Sequence, residues 1–293
     1  RNRGSGAPAA DRYDATGELV PFANTWNDLA PQKPLEVGDM TGDGLDDFVI
    51  DVHDAAAIRF VENLGGGSVA APVTILDLSS PGSEYIGSNI TLIDFDSDGD
   101  LDVVALSRFD QPGPDSLRLL ENLGGVFSPA SGVLPVASFA DRMVAADIDG
   151  DGDTDLVTSG VPTNTWLRND AGVFSQEIPL PGTAHASEKI RVEDLDGDGD
   201  LDLAFIGQGQ VSFYGNSDGL GAFGSRVSHG VPGEDITLFD VDGDGALDLI
   251  HTTVAGRRLR WRQILPSLAL ATAQPLGPIL PITMAQIFAV DLD

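Results

Sequence analysis

An acidic loop of nine residues recurs five times along the chain, and that recurrence constrains the fold more than any other feature. The copies begin at Asp39, Asp94, Asp147, Asp194 and Asp240, and Asp291 with Asp293 opens a sixth where the sequence stops. Position 3 holds Asp96, Asp149, Asp196 and Asp242, but Thr41 in the first copy. Position 5 is Asp43, Asp98, Asp151, Asp198 or Asp244, and position 9 is Asp47, Asp102, Asp155, Asp202 or Asp248. Glycine always stands at position 6. So many like charges in nine residues require a cation to hold them together. Hard oxygen ligands in a flexible loop, with a glycine at the sharp turn, suit Ca²⁺. The sequence therefore predicts about five structural Ca²⁺ sites and the start of a sixth. The first site, with Thr41 in place of a carboxylate, is expected to bind more weakly.

The loop starts are 55, 53, 47, 46 and 51 residues apart. A second landmark keeps the same step: Asn63, Asn122, Asn169, Asn216 and Gln263 each close a short apolar or mixed run about twenty residues after a loop begins. Two landmarks on one period of 40 to 50 residues indicate a duplicated unit of propeller or solenoid type. Around each loop lie short runs such as Ile90–Ile93, Met143–Ala146, Leu101–Leu106 and Leu201–Ile206. They alternate with period two and are punctuated by glycine and proline, the pattern of antiparallel strands. No stretch of ten residues has convincing helical periodicity. The predicted unit is a four-stranded blade, and the predicted fold is an all-β propeller of four-stranded antiparallel blades. Six blades' worth of chain is present, and seven are expected in the complete protein.

The Asp-x-Asp-x-Asp-Gly-x-x-Asp loop on a period near 50 residues resembles the FG-GAP/VCBS repeat family, which includes the propeller of integrin α subunits. The likeness covers residues 36 to 293. It implies that the loop joins the first two strands of each blade, with side chains at positions 1, 3, 5 and 9 binding calcium. It further implies a ligating carbonyl at position 7, here that of Leu45, Asp100, Asp153, Asp200 or Ala246. The implied repeat units are 36–86, 87–140, 141–186, 187–233 and 234–284, with a partial unit from 285. Residues 1–12 read as a flexible segment ahead of a propeller over 13–293. Because the sixth loop breaks off at Asp293, the sequence is read as a piece of a longer polypeptide.

Other calcium motifs do not fit. An EF-hand needs flanking helices and a glutamate at position 12, where this chain has residues such as Ile50 and Thr158. Nonapeptide β-helix repeats recur every nine residues rather than every fifty.

The formal charge of −30 follows from the loops, which hold 25 of the 46 acidic residues. Elsewhere the charges nearly balance, and no basic footprint for nucleic acid exists. The absence of cysteine removes disulfides, thiolate zinc sites and thiol chemistry. Loops of this type suit extracellular calcium levels, so the expectation is a secreted or cell-surface protein. Bacterial origin is inferred from the 14 arginines against 2 lysines. Ile264–Val290 carries no charge, but Pro266, Pro275, Pro278 and Pro281 interrupt it. It is read as strands and turns, without membrane insertion.

None of His53, His185, His229 and His251 belongs to a nucleophile–base motif, and no P-loop or nucleophile elbow is present. His53 and His251 are expected just beyond the second strand of their blades. Trp26, Trp166 and Trp261 are either core packing or an aromatic surface for a sugar face, which the exposure of the indoles distinguishes. The expected function is a non-catalytic binding or adhesion module for protein or glycan partners. The alternatives are a self-assembling subunit of a surface or filament structure and, by analogy alone, a polysaccharide lyase on the same scaffold.

Overall fold

The computed structural model describes residues 35–52, 56–78, 84–109, 115–136, 139–175, 177–182, 189–207, 209–231, 236–252 and 259–276. Among these residues there are strands and turns but no helix. The chain divides into two compact units, residues 1–135 and 136–293.

In the first unit, strands β1 (Leu35–Gly38), β2 (Asp47–Val52) and β3 (Ala57–Val61) lead into a small ribbon, β4 (Asn63–Gly65) with β5 (Ser68–Val69). Strand β6 (Val73–Asp77) then returns to complete an antiparallel sheet in the order β1-β2-β3-β6. The next sheet is a plain meander of β7 (Glu84–Ile93), β8 (Asp102–Phe109), β9 (Asp115–Asn122) and β10 (Phe127–Val136). Met40, Val49, Ile58 and Phe60 of the first sheet pack against Ile90, Val103, Ala105 and Leu120 of the second.

The second unit repeats the pattern three times. Strands β11 (Phe139–Ala146), β12 (Asp155–Val161) and β13 (Thr165–Leu167) are followed by a ribbon of β14 (Asn169–Asp170) and β15 (Val173–Phe174), then by β16 (Ile178–Pro179). A second sheet is β17 (Lys189–Glu193), β18 (Asp202–Gly207), β19 (Gln210–Tyr214) and β20 (Val227–Gly230). The third is β21 (Ile236–Phe239), β22 (Asp248–Thr252), β23 (Leu259–Gln263) and β24 (Gln274–Leu276).

Strand β18 explains why such sheets stack. Successive residues of a strand point to opposite faces, and every residue of β18 is buried. Leu203 and Phe205 pack with Ile148, Val157 and Trp166 of the preceding sheet. Ala204 and Ile206 pack with Ile236 and Leu249 of the following one. A strand that is apolar on both faces needs a sheet on each side. The fold is all-β, and its four-stranded antiparallel sheets are blades of the β-propeller class, as the repeat and the strand pattern predict. Residues 1–12, the partial unit from 285 and the loop opened by Asp291 and Asp293 lie outside the described residues.

The aromatic candidates separate. Trp166 is buried and meets Phe223 edge-on at a centroid distance of 6.1 Å, so it is core. Trp261 is half-buried, and Trp26 lies outside the described residues. His251 is not beyond its strand but inside β22; it is buried, with Nδ1 3.0 Å from the Thr252 carbonyl. The second strand runs on through His251 to Thr252 because all five residues of β22 are buried, so both of its faces are covered. His229 lies in β20 with Nε2 3.0 Å from the Leu268 carbonyl, and His53 and His185 lie outside the described residues. No helix among those residues is long and apolar enough to cross a membrane. Of the uncharged stretch, Gln274–Leu276 is strand β24, and everything after Leu276 lies outside the described residues.

The Trp166 contact depends on a glycine. Gly221 has φ of +80°, and a Cβ there would fall well inside contact distance of the Trp166 ring. The indole is rigid and enclosed, so the backbone would have to move. Gly221→Ala is expected to lower the unfolding free energy in urea by about 2–4 kcal/mol, combining left-handed strain with overpacking. Gly44→Ala is the comparison: it has a similar φ of +84° and nothing within 4 Å of the added carbon, so only the strain, about 1 kcal/mol, should be lost. Equal losses would show that the Trp166 contact contributes nothing.

Candidate metal centre

In all five sheets the acidic loop joins the first two strands with one register. Gly38 pairs with Asp47, Ile93 with Asp102, Ala146 with Asp155, Glu193 with Asp202 and Phe239 with Asp248. The position-9 aspartate is thus always the first residue of the second strand, and the position-1 aspartate directly follows the first strand.

Inside the loop the position-1 carboxylate organises the turn. Its Oδ2 accepts the N–H of the position-6 glycine, at 2.8 Å in the first loop and 2.9–3.1 Å in the others. Those glycines have φ between +84° and +100°, a left-handed conformation that side chains rarely adopt, so glycine is required. The position-5 carboxylate accepts from the position-7 N–H, as Asp98 does from Asp100 at 2.9 Å and Asp244 from Ala246 at 2.9 Å. The side chains of Asp100 and Asp153 reach outward and accept from Gly124 N and Ala171 N of the hairpin that follows the third strand.

The position-9 aspartate is fully buried in every sheet. Its Oδ2 accepts from the backbone N–H at position 2, with distances of 3.0–3.1 Å to Met40, Phe95, Ile148, Leu195 and Val241. Its Oδ1 accepts from Asn63, Asn122, Asn169 or Asn216 N at 2.7–2.8 Å. The asparagine landmark is therefore the other half of a latch. Each of these asparagines also accepts through Oδ1 from a turn glycine: Gly65, Gly125, Gly172 or Gly221. Nδ2 of Asn122 donates to the Leu101 and Met40 carbonyls, and that of Asn216 to the Leu201 and Ile148 carbonyls. In each case one acceptor belongs to the preceding sheet's loop. The sequence exposed these asparagines by their period but not their role.

Four loops bring positions 1, 3 and 9 together: Asp94, Asp96 and Asp102; Asp147, Asp149 and Asp155; Asp194, Asp196 and Asp202; Asp240, Asp242 and Asp248. In each triad one oxygen per residue lies within 4.8 Å of the others. The first loop, with Asp39, Thr41, Asp43 and Asp47, forms no such carboxylate triad, because position 3 is threonine. Leu45 and Ala246 occupy position 7 without a side-chain ligand.

The residues fit a cation by two further observations. Asp96 Oδ1, Asp147 Oδ1, Asp149 Oδ1, Asp248 Oδ1 and Thr41 Oγ1 are buried with no hydrogen-bond partner. A buried acceptor without a donor is costly, and a metal ion would satisfy it. Burial also raises the pKa of Asp102, Asp155 and Asp202 to about 6, despite the opposing hydrogen bonds from the latch N–H groups. It raises Asp248 as well, aided by the charges of Asp240, Asp242 and Asp244. A nearby cation would reverse those shifts. Four sites thus have the oxygen-only chemistry of a hard metal ion.

The third loop is unlike the others. Arg168, at the end of the third strand, places Nε 2.9 Å from Asp149 Oδ2 and Nη2 2.9 Å from Asp151 Oδ2 and 3.0 Å from Asp170 Oδ1. Asp151 is held below the usual carboxylate range, first by the Asp153 N–H and then by Arg168. Asp149 remains raised, because burial and the Asp151 charge outweigh the guanidinium.

Three overlapping matches to the model of the FG-GAP-like repeat cover residues 94–158, 147–205 and 194–251. Together they span more than half of the chain, which belongs to the FG-GAP-like repeat family. No curated protein matches the chain. Among solved structures, a lectin from Agrocybe aegerita that recognises non-reducing terminal N-acetylglucosamine is similar at 18% identity and a TM-score of 0.39, over 83% of this chain and 79% of that one. An exo-β-1,3-galactanase from Phanerochaete chrysosporium has a TM-score of 0.48 at 10% identity, over 92% of this chain and 63% of that one. The Photorhabdus luminescens Tc holotoxin pore matches at 22% identity and 0.35, over 83% of this chain but only 14% of that chain's length. Likenesses this remote carry nothing about ligand or activity.

Proposed function

We propose that the chain is a calcium-stabilised binding or adhesion module that works outside the cell, without catalysis of its own, on protein or glycan partners. The observation that carries this reading is the same carboxylate triad built at the same register in four sheets, with buried oxygens that have no hydrogen-bond partner in three of them. Near-identical repeated sites suit a structural ion, whereas a catalytic metal would be expected as one exceptional site with an open position. Oxygen-only ligands in a flexible loop favour Ca²⁺ over transition metals, and weak calcium loops fill where calcium is abundant. When bound, the ion would neutralise the loop and be held by positions 1, 3 and 9, with positions 5 and 7 completing the shell. The chain's own latch residues then hold the loop against the hairpin, leaving the blade surfaces ordered for recognition.

The test is a glycan and protein-ligand panel probed with the chain in calcium and in EGTA. Binding to a defined ligand in calcium, lost in EGTA and without any change in the ligand's covalent structure, is expected. Unsaturated-sugar absorbance on an acidic polysaccharide would overturn the non-catalytic reading.

A further inference from the structure

Among the described residues, the third triad has a fixed positive charge, Arg168, held directly against its carboxylates. The residue before the landmark asparagine is Glu62, Glu121 or Gly215 in the other sheets that have one, but Arg168 in the third. Its guanidinium spans the loop, with Nε on Asp149 and Nη2 on Asp151 and Asp170. Both oxygens of Asp151 are thereby engaged, Oδ1 with the Asp153 N–H at 3.0 Å and Oδ2 with Arg168 at 2.9 Å. Yet the cation slot is still there. Asp149 is nine-tenths buried, and its Oδ1, like Asp147 Oδ1, has no hydrogen-bond partner.

We infer that Arg168 is an internal counter-cation that makes the third loop the weakest of the four triad sites, part-neutralised without metal and the first to empty as calcium falls. This rests on the calcium reading of the loops. Two effects point the same way. The guanidinium cancels one of the charges that would attract the ion, and it occupies the position-5 carboxylate that would otherwise join the shell. Removing a unit charge about 5 Å from a divalent ion changes affinity by roughly tenfold even in a water-like dielectric. The third blade thereby keeps its loop closed at calcium levels that would open its neighbours. Arg168 acts through Asp149 and Asp151 as a positioning residue.

Calcium titration of the whole chain against a chromophoric chelator, comparing the native protein with Arg168→Gln and Arg168→Lys, tests this. Apart from the weak first loop, native protein is expected to show one of the four triad sites about tenfold weaker than the other three. Arg168→Gln should bring that site level with the rest, while Arg168→Lys, which keeps the charge, should stay within about threefold of native. Thermal unfolding in EGTA provides the second readout: Arg168→Gln should melt lower than native without calcium and gain more from calcium. If native and Arg168→Gln bind calcium with superimposable isotherms, or if Arg168→Gln loses a site, the inference is overturned while the calcium reading stands. If no variant binds calcium, the calcium reading itself fails.

Discussion

Removing calcium is expected to lower the melting temperature by about 10–20 °C. An ion that binds only the folded chain stabilises it by RT ln(1 + [Ca]/Kd), roughly 1.4 kcal/mol per site at ten times Kd. Four triad sites then contribute about 6 kcal/mol, a large part of the stability of an ordinary domain. At 2–4 °C per kcal/mol for chains of this size the shift follows. Magnesium should restore little of it, because it demands a tight octahedral shell that a flexible loop does not impose.

The same melting experiment has a pH signature. Without metal, Asp102, Asp155 and Asp202 titrate near 6 in the fold, well above a free aspartate near 3.9. The folded chain then holds these protons more tightly than the unfolded chain. The stability this contributes is complete below about pH 4 and is lost as pH rises through about 6. Calcium binds only the deprotonated ligands, so its own increment is small at pH 4.5 and full by pH 7. The two curves of melting temperature against pH should diverge across that interval. Curves that stay parallel, or no shift with calcium at pH 7, would mean that the loops hold no ion of consequence.

The loops, their period and the blade they imply were legible because each is a local matter: spacing, a glycine and alternation. The convergence of the carboxylates at positions 1, 3 and 9 was legible for the same reason. What the sequence concealed depends on neighbours that are distant along the chain. Trp166 and Trp261 hold equivalent places, one paired with Val157 and the other with Ile250, yet only Trp166 is buried. It is covered by Phe223 and Gly221, residues more than fifty positions later, while the repeat after Trp261 lies outside the described residues. Arg168 was visible as a letter before Asn169, but nothing local tells that a side chain leaving the third strand will cross back to the first loop of its own blade. His251 falls inside β22 rather than just beyond it because a polar residue near a strand end reads locally as the end of the strand, and only the packing on both faces of β22 buries it. The asparagines kept the period without revealing that each latches its own loop, or that Asn122 and Asn216 also reach the loop of the preceding sheet.

Asp202→Ala is expected to destabilise the protein by about 3–5 kcal/mol even in EGTA, which separates the latch from the metal ligand. Asp202 is wholly buried, and its two oxygens receive the Leu195 N–H at 3.0 Å and the Asn216 N–H at 2.8 Å. Alanine leaves both donors buried and unpaired, at about 1–3 kcal/mol each, and opens a small cavity between the loop and the third strand. Asp198→Ala in the same loop is the comparison. Its side chain is exposed and accepts one local N–H from Asp200 at 3.1 Å. Without metal its loss should cost no more than about 1 kcal/mol, since removing a like charge offsets the lost bond. With calcium, both variants should forgo the stabilisation of one site. Urea unfolding in EGTA and in calcium gives the four numbers. If Asp198→Ala and Asp202→Ala lose equal stability in EGTA, the position-9 aspartate is a ligand and nothing more. If Asp202→Ala falls far below Asp198→Ala there, the repeat's last aspartate is first a structural joint, and the metal reinforces a loop that hydrogen bonds have already closed.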